Sequence, residues 1–414
     1  MAAAALPPSD PGVETGAGGV PGQAPEGTSA DALTASADTP LGSALAMLRR
    51  RDAHSMVVVD AGGAVLGVLA LKETSTPISD AITAAGDLAQ LAQAARSLRA
   101  FAGELLADGM GARQVTELIS YLNEALAERL VRIVAERHGR DLAKMCWLAF
   151  GSQGRGEQTL VTDQDNGLVF ESEDAAADRP RWLAFSREVN EGLAACGYSL
   201  CRGQVMAGNP ACCLTAQEWR ERFDDWIEHG SPQDLLNACV YFDLRPLAGR
   251  LLLAAPLRAF VSHRARAVPR FLKQLADNAL RNPPPLSWLG GVETRRVGGR
   301  PMLDLKHHGT MLFVDAARLY ALAQGIEQTG TRERLTAVGR QLKVPAHESE
   351  AWVRAFEFLQ LLRLQSQLAR GAQAPGGVNM VDLSTLNDID RRLLKEALRQ
   401  GQRLQQRLQL DYQR

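Results

Sequence analysis

The chain has six cysteines but no C-x-x-C pair and no His/Cys grouping at zinc spacing. Most of these cysteines (Cys146, Cys196, Cys201, Cys212, Cys213 and Cys239) lie in apolar runs, which predicts reduced, buried thiols in a cytoplasmic protein. No stretch of ~18 uninterrupted apolar residues occurs, so no membrane span is expected. The first Lys or Arg is Arg49, and no signal-peptide pattern precedes it. Positive charge is not in excess: 46 Lys and Arg face 47 Asp and Glu, a formal net charge of −1. Without a basic field or stripe, nucleic acid is not an expected partner. What the chain does have is 414 residues, 46% of them hydrophobic and 22% charged, enough for about two or three packed domains.

Composition and periodicity divide the chain into five segments. Residues 1–37, rich in Ala, Gly and Pro, cannot bury enough apolar surface to order themselves and are expected to form a disordered arm. Over 38–76, Leu41, Leu45 and Leu48 recur at helical spacing. A strand, Ser55–Val59, a turn at Gly62-Gly63 and a second strand, Ala64–Leu69, follow. Residues 77–140 read as a helical linker with stripes through Leu88, Leu91, Ala95 and Leu98 and through Leu118, Leu122, Leu126 and Leu130. Residues 141–255 are mixed, with a helix expected over Trp182–Ala195, a strand over Tyr198–Met206 and an amphipathic helix carrying Trp219, Phe223 and Trp226. Residues 256–414 read as an all-α domain broken at Pro283–Pro285, Gly290-Gly291 and Gly298-Gly299. The fold class expected is thus α+β and multidomain.

The most informative stretch begins where the apolar run Cys146–Phe150 ends. It reads Gly151-Ser152-Gln153-Gly154-Arg155-Gly156-Glu157, then Thr162-Asp163-Gln164-Asp165 at the start of a second apolar run. Alternate residues of an extended chain share a face, so Asp163 and Asp165 are expected side by side, roughly 7 Å apart at Cα. Two such carboxylates repel unless a cation lies between them. Mg²⁺ is usually held by one or two carboxylates together with substrate phosphates. Glycines with exposed N–H groups at a helix start would seat those phosphates.

This segment resembles the nucleotidyltransferase superfamily of DNA polymerase β. In the form Gly-Ser-x-Gly-Arg-Gly-Glu followed by Thr-Asp-x-Asp it is similar to the protein-PII uridylyltransferases and glutamine-synthetase adenylyltransferases. It is closer still to a bacterial family of signal-transduction proteins with cystathionine-β-synthase (CBS) repeats. The helix–strand–turn–strand order of 38–76 resembles one CBS repeat. Gln204–Pro210, Tyr241–Gly249 (a "D-x-R…G" helix in that group), Leu303–Gly309 and Asp315–Arg318 carry the likeness further.

The resemblance implies a small mixed sheet with helices at 141–255, a CBS-like half unit before it, and an NTP substrate. It assigns Gly151, Ser152 and Gly154 to the phosphates through main-chain N–H groups and a hydroxyl, with Arg155 neutralising charge and Asp163 and Asp165 holding one or two Mg²⁺ ions. The acceptor it implies is a regulatory protein such as a PII-like protein. A single CBS-like repeat points to a homodimer, since such units normally pair.

One departure weighs against catalysis. Many superfamily members supply a third carboxylate from the next strand, whereas Tyr198–Met206 contains none. Asp243 is a substitute, unless it simply pairs with Arg245, and Lys306 is a candidate to reach the triphosphate from the C-terminal domain. The alternative function is a nucleotide-binding regulator without transferase activity. Asn166 and Asn209 are expected to stabilise turns, His307 and His308 to cap or pack, and Trp219 and Trp226 to anchor the core.

Overall fold

The computed structural model describes residues 33–39, 43, 44, 47, 55–70, 77–107, 109, 111–288, 290–370 and 377–412. Most of the arm, and Leu41, Leu45 and Leu48 of the first expected helix, lie outside them. Thr34–Ser36, assigned above to the arm on composition, forms strand β1. It pairs in parallel with β2 (Ser55–Val59), which pairs antiparallel with β3 (Val65–Ala70). The turn between β2 and β3 is closed by Asp60, whose carboxylate accepts the N–H groups of Gly62 and Ala64.

Three helices follow: α1 (Pro77–Ala84), which no stripe marked, and α2 (Leu88–Ala107) and α3 (Ala112–His138), which the two stripes predict. The central sheet then begins with β4 (Met145–Ala149). The short helix α4 (Gly151–Arg155), β5 (Asn166–Phe170) and α5 (Ala175–Ala195) follow. Next come the two-residue strand β6 (Cys213–Leu214), α6 (Ala216–His229), α7 (Pro232–Tyr241) and β7 (Arg245–Gly249). The sheet order is β6-β5-β4-β7, with β4 antiparallel to both neighbours and β6 parallel to β5.

Every residue of β4 and β5 is buried, as an uninterrupted apolar run requires when both faces of a sheet are covered. The two-residue period sorts their side chains. Met145, Trp147 and Ala149 pack with α1, α2, α3 and α5. Cys146, Leu148 and Phe150 pack with α6, α7 and the C-terminal helices. The sheet therefore lies between two cores, and the C-terminal region supplies much of the second.

That region contains α8 (Ala255–Ala267), α9 (Pro269–Leu280), α10 (Met311–Gln324), α11 (Thr331–Gln341), α12 (Ala346–Arg370) and α13 (Asp388–Tyr412). The expectation of an all-α domain is corrected here. Strands β8 (Arg295–Val297), β9 (Arg300–Asp304) and β10 (Met380–Asp382) form an antiparallel sheet in the order β10-β9-β8. Gly298 and Gly299, which sequence marks as a helix break, turn the β8–β9 hairpin at positive φ. β10 is three residues drawn from a segment far along the chain, too short for periodicity to reveal.

Helix α10 is buried on nearly every side, and sits at the middle of its domain. Among the described residues no helix is long and apolar enough to cross a membrane.

Candidate active site

Strand β4 runs out at Phe150, and the chain turns at once into α4. The N–H of Phe150 donates to the Asp165 carbonyl at 2.9 Å, which ties the start of this turn to the segment before β5. Gly151 has φ +50°, and a Cβ there would lie 2.5 Å from Oδ2 of Asp165. Only a residue without a side chain lets that carboxylate rest against the backbone. A Cβ on Gly154 would meet the Asp243 carbonyl oxygen at 1.8 Å. The first N–H groups of α4, those of Gly151, Ser152 and Gln153, have no helical partner. They make no hydrogen bond among the described residues.

Asp163 and Asp165 lie just before β5. Asp163 forms an isolated parallel bridge with Ser199, and the N–H of Gln164 donates to the Ser199 carbonyl at 2.9 Å. Between the two acids, the Gln164 side chain turns inward and donates to the carbonyls of Asn190 and Tyr198, both at 3.0 Å. Asn190 in turn donates to Gln164 and Asn166 at 2.9 Å each. This buried amide network fixes the stretch in an extended form, so alternation turns both acids away from it.

Burial pushes the Asp165 carboxyl up to about 6, and the neighbouring Asp163 adds to the shift. A hydrogen bond with the Cys201 thiol and the fields of Lys306 and Arg155 oppose it without cancelling it. Lys306 is delivered from the C-terminal domain by a π-helical turn, Lys306–Thr310, immediately after β9. Its Nζ stands 3.8 Å from Oδ1 of Asp163. The Asp304 carboxylate accepts the N–H groups of Lys306 and His307 at 2.9 and 3.0 Å and so sets the direction of that turn.

Arg155 does not stand free for a phosphate. It donates from Nε to Glu157 at 2.8 Å and from Nη1 to Asp243 at 2.6 Å. Asp243, fully buried, also receives Arg318 at 2.7 Å and Arg334 at 2.5 Å. Burial alone would raise the Asp243 carboxyl, but the three guanidiniums hold it well below the usual carboxylate range. Glu157 reaches the N–H and the hydroxyl of Thr331. Through this cluster, the glycine loop and α7's end are joined to α10 and α11.

Asp243 as a substitute metal carboxylate is therefore corrected: its oxygens are committed to three arginines. It lies in the turn after α7, and Arg245 is in strand β7, so the helix expected there is replaced by a turn and a strand. Nor does Asp243 pair with Arg245, which grips Glu124 of α3 and the carbonyls of Gln153 and Gly154.

The strand expected over Tyr198–Met206 is also corrected. It is a loop with Gln204 at φ +58°, and β6 begins only at Cys213. Asn166, whose side-chain Oδ1 accepts the Ala207 N–H at 2.8 Å, holds this loop against the sheet.

Other expectations are met. Asn209 caps the short 3-10 turn at Pro210–Cys212, and Trp219 and Trp226 are buried core. His308 bonds Asn282 at 2.9 Å, and five of the six cysteines are buried while all are free. Ser152 lies at the loop with its hydroxyl 3.5 Å from that of Thr162.

Sequence reading missed Arg363. It is buried in α12 and held by the neutral oxygens of Gln360, Asn379 and Thr310. Burial brings its guanidinium down to about 10, while the fields of Asp304, Glu157 and Asp163 act on it. The one signal was an arginine at helical spacing from the apolar residues Trp352, Phe356 and Leu359.

Among the described residues, no group of three or more His, Cys, Asp and Glu is arranged to hold a metal. The donors at the site are the oxygens of Asp163 and Asp165. Two like-charged carboxylates, one of them raised by burial and by its neighbour, suit a hard divalent cation whose remaining ligands would come from phosphate and water.

Residues 96–233 match the family described as "Putative nucleotidyltransferase DUF294". Residues 269–412 match "Putative nucleotidyltransferase substrate binding domain". The first match starts inside α2, so the family unit takes in most of the helical pair ahead of the sheet. No curated protein matches the chain.

Proposed function

We propose that this chain, a nucleotidyltransferase-type domain joined to a substrate-binding domain, transfers a nucleoside monophosphate from an NTP to an acceptor hydroxyl. The observation that carries the reading is the meeting, across two domains, of Asp163 and Asp165 with the Gly151 turn and Lys306. In this reading the free N–H groups at the start of α4 receive phosphate oxygens, and Ser152 offers its hydroxyl. Lys306 adds positive charge beside Asp163, where the triphosphate would lie. Asp163 and Asp165 would hold Mg²⁺, which when bound neutralises charge as pyrophosphate leaves. Arg155 acts indirectly, by fixing the loop, rather than as a phosphate ligand. The acceptor proposed is a regulatory protein of the PII-like kind, uridylylated or adenylylated, with the N-terminal β-unit as a CBS-like modulator in a homodimer.

Incubating the full chain with α-labelled ATP or UTP, Mg²⁺ and cell extract tests this. A labelled product is expected, and Asp163→Asn combined with Asp165→Asn should lower labelling by at least ~100-fold. Equal labelling by the double variant defeats the assignment.

A second reading, nucleotide binding without transfer, is favoured by one observation: the Tyr198–Met206 loop brings no third carboxylate to the site. Calorimetric binding of an NTP with no labelled product in any extract would decide for it.

A further inference from the structure

One sizeable opening lies away from the two aspartates. A cavity of about 620 Å³ lies on the far side of the glycine loop. Ser43 and Met47 of the N-terminal unit line it, together with α3, the β7 end, the start of α8, and the 328–333 and 356–360 segments of the C-terminal domain. Helix α4 connects the two places. Its first residue, Gly151, touches Asp165, and its last residue, Arg155, with Gly156 and Glu157, lines the cavity. Folded interiors keep few voids larger than a water molecule, whereas ligand pockets run to several hundred Å³.

The charges in the wall are matched except at one end. Arg113 pairs with Glu117, and Arg332 with Glu117 and Glu333. Arg245 pairs with Glu124, and Arg155 with Asp243 and Glu157. The Glu357 carboxyl is raised by burial but lies in the opposing fields of Arg332 and Arg113. Arg258 is different. Among the described residues it makes no hydrogen bond and no ion pair, although it is half-buried in α8 and lines the cavity. Glu327 attracts it without reaching it, and Arg245 repels it. A partly desolvated guanidinium with five donors and no acceptor calls for an anion. Leu251, Leu252, Pro246 and Met47 beside it supply an apolar wall for the rest of a small molecule.

We propose that this cavity is a second binding site, for a small molecule bearing a phosphate or carboxylate group anchored on Arg258. The site is separate from the nucleotide site yet shares α4 with it, so its occupant bears directly on the loop that seats the triphosphate. Its test reads binding alone and needs no transfer, so the transferase reading could fail and leave this one standing.

The experiment is calorimetry of the full chain with inorganic phosphate and with succinate, in Mg²⁺-free buffer. Saturable one-site binding of at least one probe is expected, and which probe binds tells phosphoryl from carboxylate ligands. Arg258→Ala should weaken it by ~10-fold or more, with partial recovery in Arg258→Lys. Ala255→Trp, an exposed lining position at the start of α8, should block the cavity without removing charge. All three variants should melt like the parent. The Asp163→Asn, Asp165→Asn double variant should bind as the parent does. Failure of both probes to bind overturns the proposal. So does parental affinity in Arg258→Ala, or clearly tighter binding in the double aspartate variant, which would put the anion at the glycine loop, where removing two negative charges favours it.

Discussion

At the scale of single residues, the site is held by what is missing from side chains as much as by what is present. Gly154 has no room for even one carbon, because the Asp243 backbone occupies that place. Gly154→Ala must displace backbone on one side or the other, and a loss of ~3 kcal/mol or more is expected in urea unfolding. Asp165 presents the opposite problem, a charge that its surroundings disfavour. Its carboxyl, at about 6, is above its unfolded value of 3.8, so the folded state binds the extra proton. Between those two values, raising the pH costs stability, and above about 6 the whole penalty is in force. Asp165→Asn should therefore raise the stability of the metal-free protein at pH 7.5 by on the order of 1 kcal/mol. The gain should shrink as pH falls from 6 towards 4, which thermal melts across that range would reveal. The same substitution should abolish Mg²⁺-dependent transfer, a trade of stability for function expected where like charges are gathered for a cation.

At the scale of elements, short pieces of chain are positioned by polar side chains from longer ones. The stretch before β5 is pinned from behind by Asn190 on α5. Loop residue Gln158 is gripped by Ser120 and Asn123 of α3, and Val161 donates its N–H to Gln367 of α12. Asn190→Ala would take from the side-chain oxygens of Gln164 and Asn166 their 2.9 Å donor, leaving Asn166 the Ala207 N–H and Gln164 a 3.5 Å contact, and would leave the N–H of Gly208 without a partner among the described residues. A loss of ~1–3 kcal/mol is expected, together with weaker nucleotide binding as the acidic stretch loses its fixed extended form. Chemical denaturation and NTP calorimetry on the same variant would measure both. An unchanged nucleotide affinity would mean that β4 and β5 alone hold the aspartates in place.

At the scale of the whole molecule, the two matched domains share one buried ion cluster. Asp243 alone receives arginines from α4, α10 and α11. Removing one member of a buried set leaves the others unpaired in a low-dielectric interior. Asp243→Ala is expected to cost ~3–5 kcal/mol, and limited proteolysis should then cut between the domains. A variant that resists cleavage as the parent does would show that the apolar core shared by the sheet and the C-terminal helices is sufficient to join them.

What could be read from the chain followed from short-range physics. The uninterrupted apolar runs announced β4 and β5. The helical stripes announced α2, α3 and α6, and alternation led to the expectation of Asp163 and Asp165 on a common face. Where the reading failed, the deciding partner was distant in sequence. Arg155 looked like a phosphate ligand because an arginine in a glycine loop is locally free, but Asp243, 88 residues away, claims it. Tyr198–Met206 has a strand's composition, yet Asn166 and Asn190 hold it as a loop, which no local propensity can foresee. β10 and Arg363 owe their places to packing against segments that only the folded chain brings near. So the residue types and spacing of the acidic pair and its glycine turn were determined by sequence alone, since backbone geometry acts over a few residues. Which cations face those acids, and which cavity opens behind them, was decided by tertiary structure, because charge and burial act through space rather than along the chain.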